Sequence, residues 1–220
     1  MHLSPIVALA IAYLAGSIPS AYLAGRWRGV DLRKHGSGNL GATNVARVLG
    51  ARIGAVVFAV DVLKGFLPVF FLPALTDTPY SEMMALAIGA ASILGHVKPI
   101  FLLGRGGGKG VATATGVFLG LAWLPMLISF GVWVLVFAVS RYVSLASLAG
   151  AVALPLAFIV TGAPINDPDF IASVVIAVFV FYTHRANIGR LRRREEHRFV
   201  RARSPAGSTA AMDPPPPNAA

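Results

Sequence analysis

Long apolar runs broken by short polar intervals dominate this chain. A helix needs about 20 apolar residues to cross the hydrocarbon of a bilayer, and stretches near that length lie at residues 3–24, 53–75, 82–103, 142–161 and 170–182. Residues 111–140 form a further apolar stretch, too long for one perpendicular crossing and short for two. The pattern predicts an all-α protein, a polytopic integral membrane helical bundle.

Charge decides how such a bundle is threaded. The interval 25–52 holds Arg26, Arg28, Arg33, Lys34, Arg47 and Arg52 against a single acid, Asp31. The segment around Lys98, Arg105 and Lys109 is basic, as is everything from Arg185 onward, whereas "LTDTPYSE" and "GAPINDPD" are acidic or neutral. Lysine and arginine mark the cytoplasmic side. The basic segments share one side only if residues 111–140 cross twice, turning near Trp123, Leu124 and Pro125. That arrangement gives about seven transmembrane helices, with the N-terminus periplasmic and the C-terminus cytoplasmic. The competing arrangement, five spans and one long tilted or re-entrant helix, puts the first loop and the tail on opposite sides. Residues 1–198 read as one membrane domain, and 199–220, with its "DPPPP", as a disordered cytoplasmic tail.

Composition narrows the class. Only 13% of the residues are charged, against about 25% in soluble domains. The net charge of +10 then reads as basic loops against anionic lipid headgroups, with no nucleic-acid partner. The chain has no cysteine, which excludes disulfides and thiolate metal sites. The N-terminal run lacks a basic leader region and is long enough to span, so a cleaved signal is not expected.

Three polar segments on the cytoplasmic side carry the candidate chemistry. In "HGSGNLGATNVARVLG", glycines at 36, 38 and 41 let a ligand approach main-chain N–H groups. Ser37, Asn39, Thr43 and Asn44 add neutral polar groups, and Arg47 a forked cation suited to phosphate oxygens. The competing reading is a flexible turn with ordinary capping; the flanking cations favour an anion. "GRGGGKGVAT" fails the P-loop pattern, which needs glycine at Leu103 and Ser or Thr at Gly110. It reads as a second anion cradle before a helix starting at Val111, or as a snorkelling interfacial lysine. In "FYTHRANIGRL", a helix would put His184 and Asn187 on one face. The run "RLRRREEHRFVRAR" reads as a lipid-facing basic stretch, and Asp61 with Lys64 as an intrahelical structural pair. No nucleophile elbow, zinc motif or cluster of carboxylates for a metal occurs in the sequence.

Together these segments resemble the bacterial acyl-phosphate-dependent glycerol-3-phosphate acyltransferase family. "GSIPSAYLAG" with "DLRKHGSGNLGATNVARVLG" is similar to its first motif, and "DVLKG" to its next short signature. "GHVKPIF" with "GGKGVAT" resembles the second motif and "HRANIGRL" the third, so the likeness runs from Gly16 to Glu196. The chain departs from the pattern by an extra glycine within Gly106–Gly108, and by Arg192 and Arg194 where leucine and glycine are usual. The resemblance implies an inner-membrane enzyme facing the cytoplasm and taking the first acylation step of phospholipid biosynthesis. Its expected substrates are glycerol 3-phosphate and long-chain acyl phosphate, its products lysophosphatidic acid and phosphate. No metal or other cofactor is implied, and a soluble acyl-phosphate-producing enzyme is a possible functional partner. By motif position the catalytic set falls on His184, Lys109, Arg47 and Ser37, and substrate binding on Gly38, Asn39, Thr43, Asn44, Gly107, Gly108, Ser147 and Asn187. The proton acceptor is either His184 or a phosphate oxygen of the donor. An organic-phosphate membrane transporter is the rival reading, against which stands the lack of a two-fold internal repeat.

Overall fold

The computed structural model describes residues 2–76 and 82–199. Among them there is no β-strand, only an isolated bridge between Leu3 and Thr76. Residues 200–220, most of the expected tail, lie outside the described residues.

The helices are α1 (Pro5–Ser17), α2 (Ser20–Trp27), α3 (Ala42–Leu49), α4 (Ala51–Phe71), α5 (Glu82–Val97), α6 (Val111–Leu121), α7 (Trp123–Ser140), α8 (Val143–Val160), α9 (Pro168–Thr183) and α10 (Arg185–Arg192). Local chemistry sets several of their ends. Ser4 caps α1 by accepting the Val7 N–H at 3.4 Å, with Pro5 at the first helical position. Asp167 caps α9 in the same way, ahead of Pro168, where the missing proline N–H costs nothing. Pro19 breaks the first span between α1 and α2, because its ring disfavours helical geometry in the residue before it.

Five segments are long and apolar enough to cross a membrane: Pro5–Trp27, Ala51–Leu75, Glu82–Leu102, Trp123–Ser140 and Val143–Val160. A sixth exists if α9 and α10, bent by 60°, count as one. The expectation that residues 111–140 divide near Trp123 agrees with the break at Ala122 between α6 and α7. However, α6 has 11 residues and rises only about 16 Å, roughly half the hydrocarbon thickness. Length alone leaves it out of the five or six long spans, and it packs closely on α4.

Close helix contacts rest on small residues. A side chain at Gly65 would run into the Thr113 backbone and one at Gly116 into Val62, which brings α4 and α6 into contact. Gly16 and Gly95 do the same for α1 and α5. With lipid on the outside, such close approach supplies the van der Waals packing that holds helices together. Phe118 from α6 meets Phe158 from α8 edge to face in the core, at 6.3 Å between ring centres. Large apolar side chains cover the outer surfaces, among them Ile6, Phe70, Leu135, Val139 and Val178.

Two features differ from the sequence reading. Half of the presumed glycine loop is helical: α3 buries Asn44 and Val45 and turns Arg47 inward. And carboxylates do cluster, since the first turns of α5 and α9 bring Glu82, Asp167 and Asp169 together.

Candidate active site

A cavity of about 520 Å³ opens among α3, α4, α6, α7, α8, α9 and α10. Its polar part is lined by Ser37, Asn39, Thr43, Arg47, Lys109, His184, Asn187, Arg190 and Glu196. Its apolar part runs past Trp133, Phe130 and Ser147 to Phe118, Met126 and Leu154.

Four helices direct their N-termini at the polar part: Gly41–Thr43 of α3, Gly110–Ala112 of α6, Val143–Ser144 of α8 and His184, Ala186 and Asn187 at α10 all line it. None of the four carries a side-chain cap, so first-turn N–H groups and the positive dipole ends are left for a ligand. Gly110 makes the turn into α6 possible. It sits at φ 84° against Phe179, Ile93 and Val97, a backbone state that a side chain would strain.

Lys109 lies just before that turn. Its ammonium donates to Asn187 Oδ1. Burial pushes its pKa down to about 8; Glu196 works against that, while Arg190 and Arg47 add to it. Asn187 passes the contact on, donating from Nδ2 to Glu196 Oε1 at 2.7 Å. Glu196 also accepts from Ser144 Oγ at 3.0 Å and Arg190 Nε at 2.7 Å. Burial alone would raise the Glu196 carboxyl, but these hydrogen bonds outweigh it and hold the pKa below the ordinary value. Arg47 faces the same space with no hydrogen bond or ion pair among the described residues.

His184 stands at the bend between α9 and α10. Its Nδ1 is 2.8 Å from the Val180 carbonyl, so Nδ1 carries the proton and Nε2 is left as an acceptor. The chain does not continue as one helix here, as a shared face for His184 and Asn187 required; the bend is what brings both to the cavity.

Other expected contacts move. Asn44 is 1% exposed, and its amide accepts from Ser37 N at 2.8 Å while donating to the Leu32 and His35 carbonyls, each at 3.1 Å. It holds the glycine loop in shape and keeps the Ser37 N–H, leaving the Ser37 hydroxyl for a ligand. Gly38 donates to the His35 carbonyl and does not line the cavity. Gly107 and Gly108 also stand outside it: they pack on the Val97 backbone and the His96 ring. Ser147 sits farther in, accepting from Trp133 Nε1 at 3.3 Å.

The sequence reading missed Glu196 and gave Arg190 no role at the site. The signal was an acid within "RLRRREEHR", and the run is not simply lipid-facing, because Arg190, Glu196 and His197 line the cavity. Also in the cavity wall, Asp61 Oδ1 accepts from Ser20 Oγ at 2.6 Å and pairs with Lys64 at 2.7 Å; Lys64 also donates to the Ile18 carbonyl at 3.0 Å. His96 lies 3.7 Å from the same carboxylate oxygen.

A family model described as glycerol-3-phosphate acyltransferase matches residues 6–194. A glycerol-3-phosphate acyltransferase of Synechococcus elongatus is 44% identical over 204 residues, covering 90% of this chain and 96% of its own. That of Aquifex aeolicus is 45% identical over 188 residues, covering 86% and 95%. Among solved structures, the glycerol 3-phosphate form of PlsY, an integral membrane glycerol 3-phosphate acyltransferase, aligns with a TM-score of 0.81 at 41% identity. It covers 89% of this chain and 96% of that one. The lysophosphatidic acid form gives 0.79 at 40% identity, covering 89% and 95%.

Proposed function

This chain belongs to the glycerol-3-phosphate acyltransferase family, and from that premise we propose that it transfers a fatty acyl group from acyl phosphate to the 1-hydroxyl of sn-glycerol 3-phosphate. The products are lysophosphatidic acid and inorganic phosphate. The observation that carries the reading is one cavity with a cationic, helix-N-terminal mouth continuous with an apolar groove. Two phosphate-bearing substrates, one with a lipid tail, need both parts side by side.

The roles follow from the geometry. Arg47, Lys109 and the open N-termini of α3 and α6 bind and neutralise phosphate groups. The Ser37 hydroxyl and Thr43 add hydrogen bonds at the mouth, and Asn187 fixes the Lys109 ammonium. The groove past Trp133 and Ser147 takes the acyl chain. The glycerol 1-hydroxyl attacks the acyl carbonyl, the new C–O ester bond forms and the bond to the donor phosphate breaks, with phosphate leaving. Acyl phosphate is a mixed anhydride with a good leaving group, so orientation and charge stabilisation do most of the work. Among the described residues no carboxylate hydrogen-bonds to the His184 imidazole, whose Nδ1 rests on a carbonyl. It therefore orients the hydroxyl through Nε2, and a donor phosphate oxygen takes the proton. The basic segments support a mouth on the cytoplasmic side of the inner membrane, with the N-terminus outside. Residues 1–198 form the catalytic domain, followed by a tail.

Purified protein given labelled glycerol 3-phosphate should make lysophosphatidic acid from acyl phosphate, and little from acyl-CoA or acyl carrier protein. Equal rates with acyl-CoA would reject the donor assignment while keeping the family. His184→Gln should retain measurable turnover with a raised KM; complete loss of kcat with unchanged binding would make the imidazole the base.

A further inference from the structure

We propose that Glu82, Asp167 and Asp169 form a divalent-cation site, best suited to calcium, where α5 and α9 begin at their ends away from the cavity. Carboxylate oxygens of the three residues all lie within 4.8 Å of one another. Three ionised acids at that range repel. The two helix N-termini beside them supply about +0.5 each, which leaves roughly two negative charges uncompensated. No lysine or arginine occurs in residues 65–97 or 143–183, the stretches containing α5 and α9, so these segments bring no balancing side chain. One divalent cation closes the balance.

Asp169 points to the same ligand independently. It is 9% exposed, and its Oδ1 is buried without a hydrogen-bond partner among the described residues. A buried carboxylate oxygen with neither donor nor cation is costly, and helix capping does not explain it, because Asp167 does the capping. Asp167 Oδ1 accepts the Asp169 and Phe170 N–H groups at 2.8 and 3.0 Å, which fixes that carboxylate and leaves its Oδ2 for a metal. Glu82 is exposed and gives the site its opening to water.

The donor set is all oxygen, which suits a hard cation and not zinc. Three oxygens as much as 4.8 Å apart put a central ion about 2.8 Å from each, so the carboxylates close in slightly around calcium, at about 2.4 Å with flexible geometry, and farther around magnesium, at about 2.05 Å with strict octahedral geometry. Water completes the shell. The bound ion ties together the starts of two helices whose opposite ends carry His96 and His184 at the cavity. It is a structural clasp, and it does not depend on the acyl-transfer reading.

The test uses the full-length protein in detergent, stripped with a chelator and titrated with calcium or magnesium chloride by calorimetry and thermal unfolding. One calcium per chain is expected, with Kd in the range of about 10⁻⁴ to 10⁻³ M and Tm rising by roughly 3–6 °C at tenfold excess over Kd. Magnesium should bind more weakly. Glu82→Gln, on an exposed side chain, should weaken calcium binding at least about tenfold without touching the core, and Asp169→Asn should abolish it. The proposal is overturned by the absence of heat and Tm shift up to about 10 mM calcium. Calcium binding that survives in the Glu82→Gln, Asp169→Asn double variant overturns it too. So does a chelated Asp169→Asn variant more stable than a wild type that ignores calcium, because Asp169 then shares a proton and not an ion.

Discussion

Lys109 is the residue whose charge state the fold controls most directly. With its pKa lowered to about 8, it loses its proton in an ordinary assay range. The KM for glycerol 3-phosphate should therefore climb above about pH 8, approaching tenfold per unit, and Lys109→Arg should flatten that limb because a guanidinium stays charged. Glu196 supports the Lys109 proton, so Glu196→Gln should move the limb to lower pH; an unchanged limb would show that Glu196 does not act on Lys109. Stability runs the other way. The folded pKa lies below the ordinary lysine value of 10.5, so the unfolded chain binds more protons between about pH 8 and 10.5, and the ligand-free protein gains stability across that window. Arg194 offers a separate check. It adopts φ 60°, where glycine is at ease and other residues are strained. Arg194→Gly should raise stability by up to about 1 kcal/mol, read as a higher Tm with unaltered KM.

At the scale of elements, the network in the cavity wall joins the α1–α2 break, α4 and α5 through Ser20, Asp61, Lys64, the Ile18 carbonyl and His96. Removing one charge leaves the other buried alone. Asp61→Asn should cost about 3–5 kcal/mol, and adding Lys64→Met should recover much of it. Thermal unfolding of the single and double variants decides this: equal Tm values would mean that the pair is not coupled. The same scale explains why α3 was misread. Eight residues are too few for helical periodicity to stand out against a glycine-rich flank, and α3 is held by packing on α4, where Gly54 fits beneath Ala46.

For the whole molecule, the proposed reading makes the depth of the groove the measure of the acyl chain. Phe118, Met126 and Leu154 line it, Phe118 and Met126 near the ends of α6 and α7 opposite Lys109 and Ser140, and Leu154 about three turns into α8 from Val143. Met126→Trp should shorten it and shift preference toward shorter acyl phosphates by roughly tenfold, for the loss of one to two buried methylene contacts. Ratios of kcat/KM for long and medium chains measure the shift, and an unchanged ratio would place the acyl chain elsewhere.

Apolar runs, caps and motif chemistry are local properties of the chain, and they sufficed to predict an all-helical membrane protein, the break near residue 122 and the cationic motifs around Arg47, Lys109 and His184. They could not show which motif residues meet. Asn44 turned out to clamp its own loop, Gly107 and Gly108 to pack behind the site, and Glu196, from a run read as lipid-facing, to anchor Asn187 and Arg190. Nor could they show that Glu82 reaches Asp167 and Asp169. Spacing along one helix reports only neighbours three or four residues away. Contacts between helices depend on crossing and depth, which small residues such as Gly65 and Gly116 set only once the helices have packed.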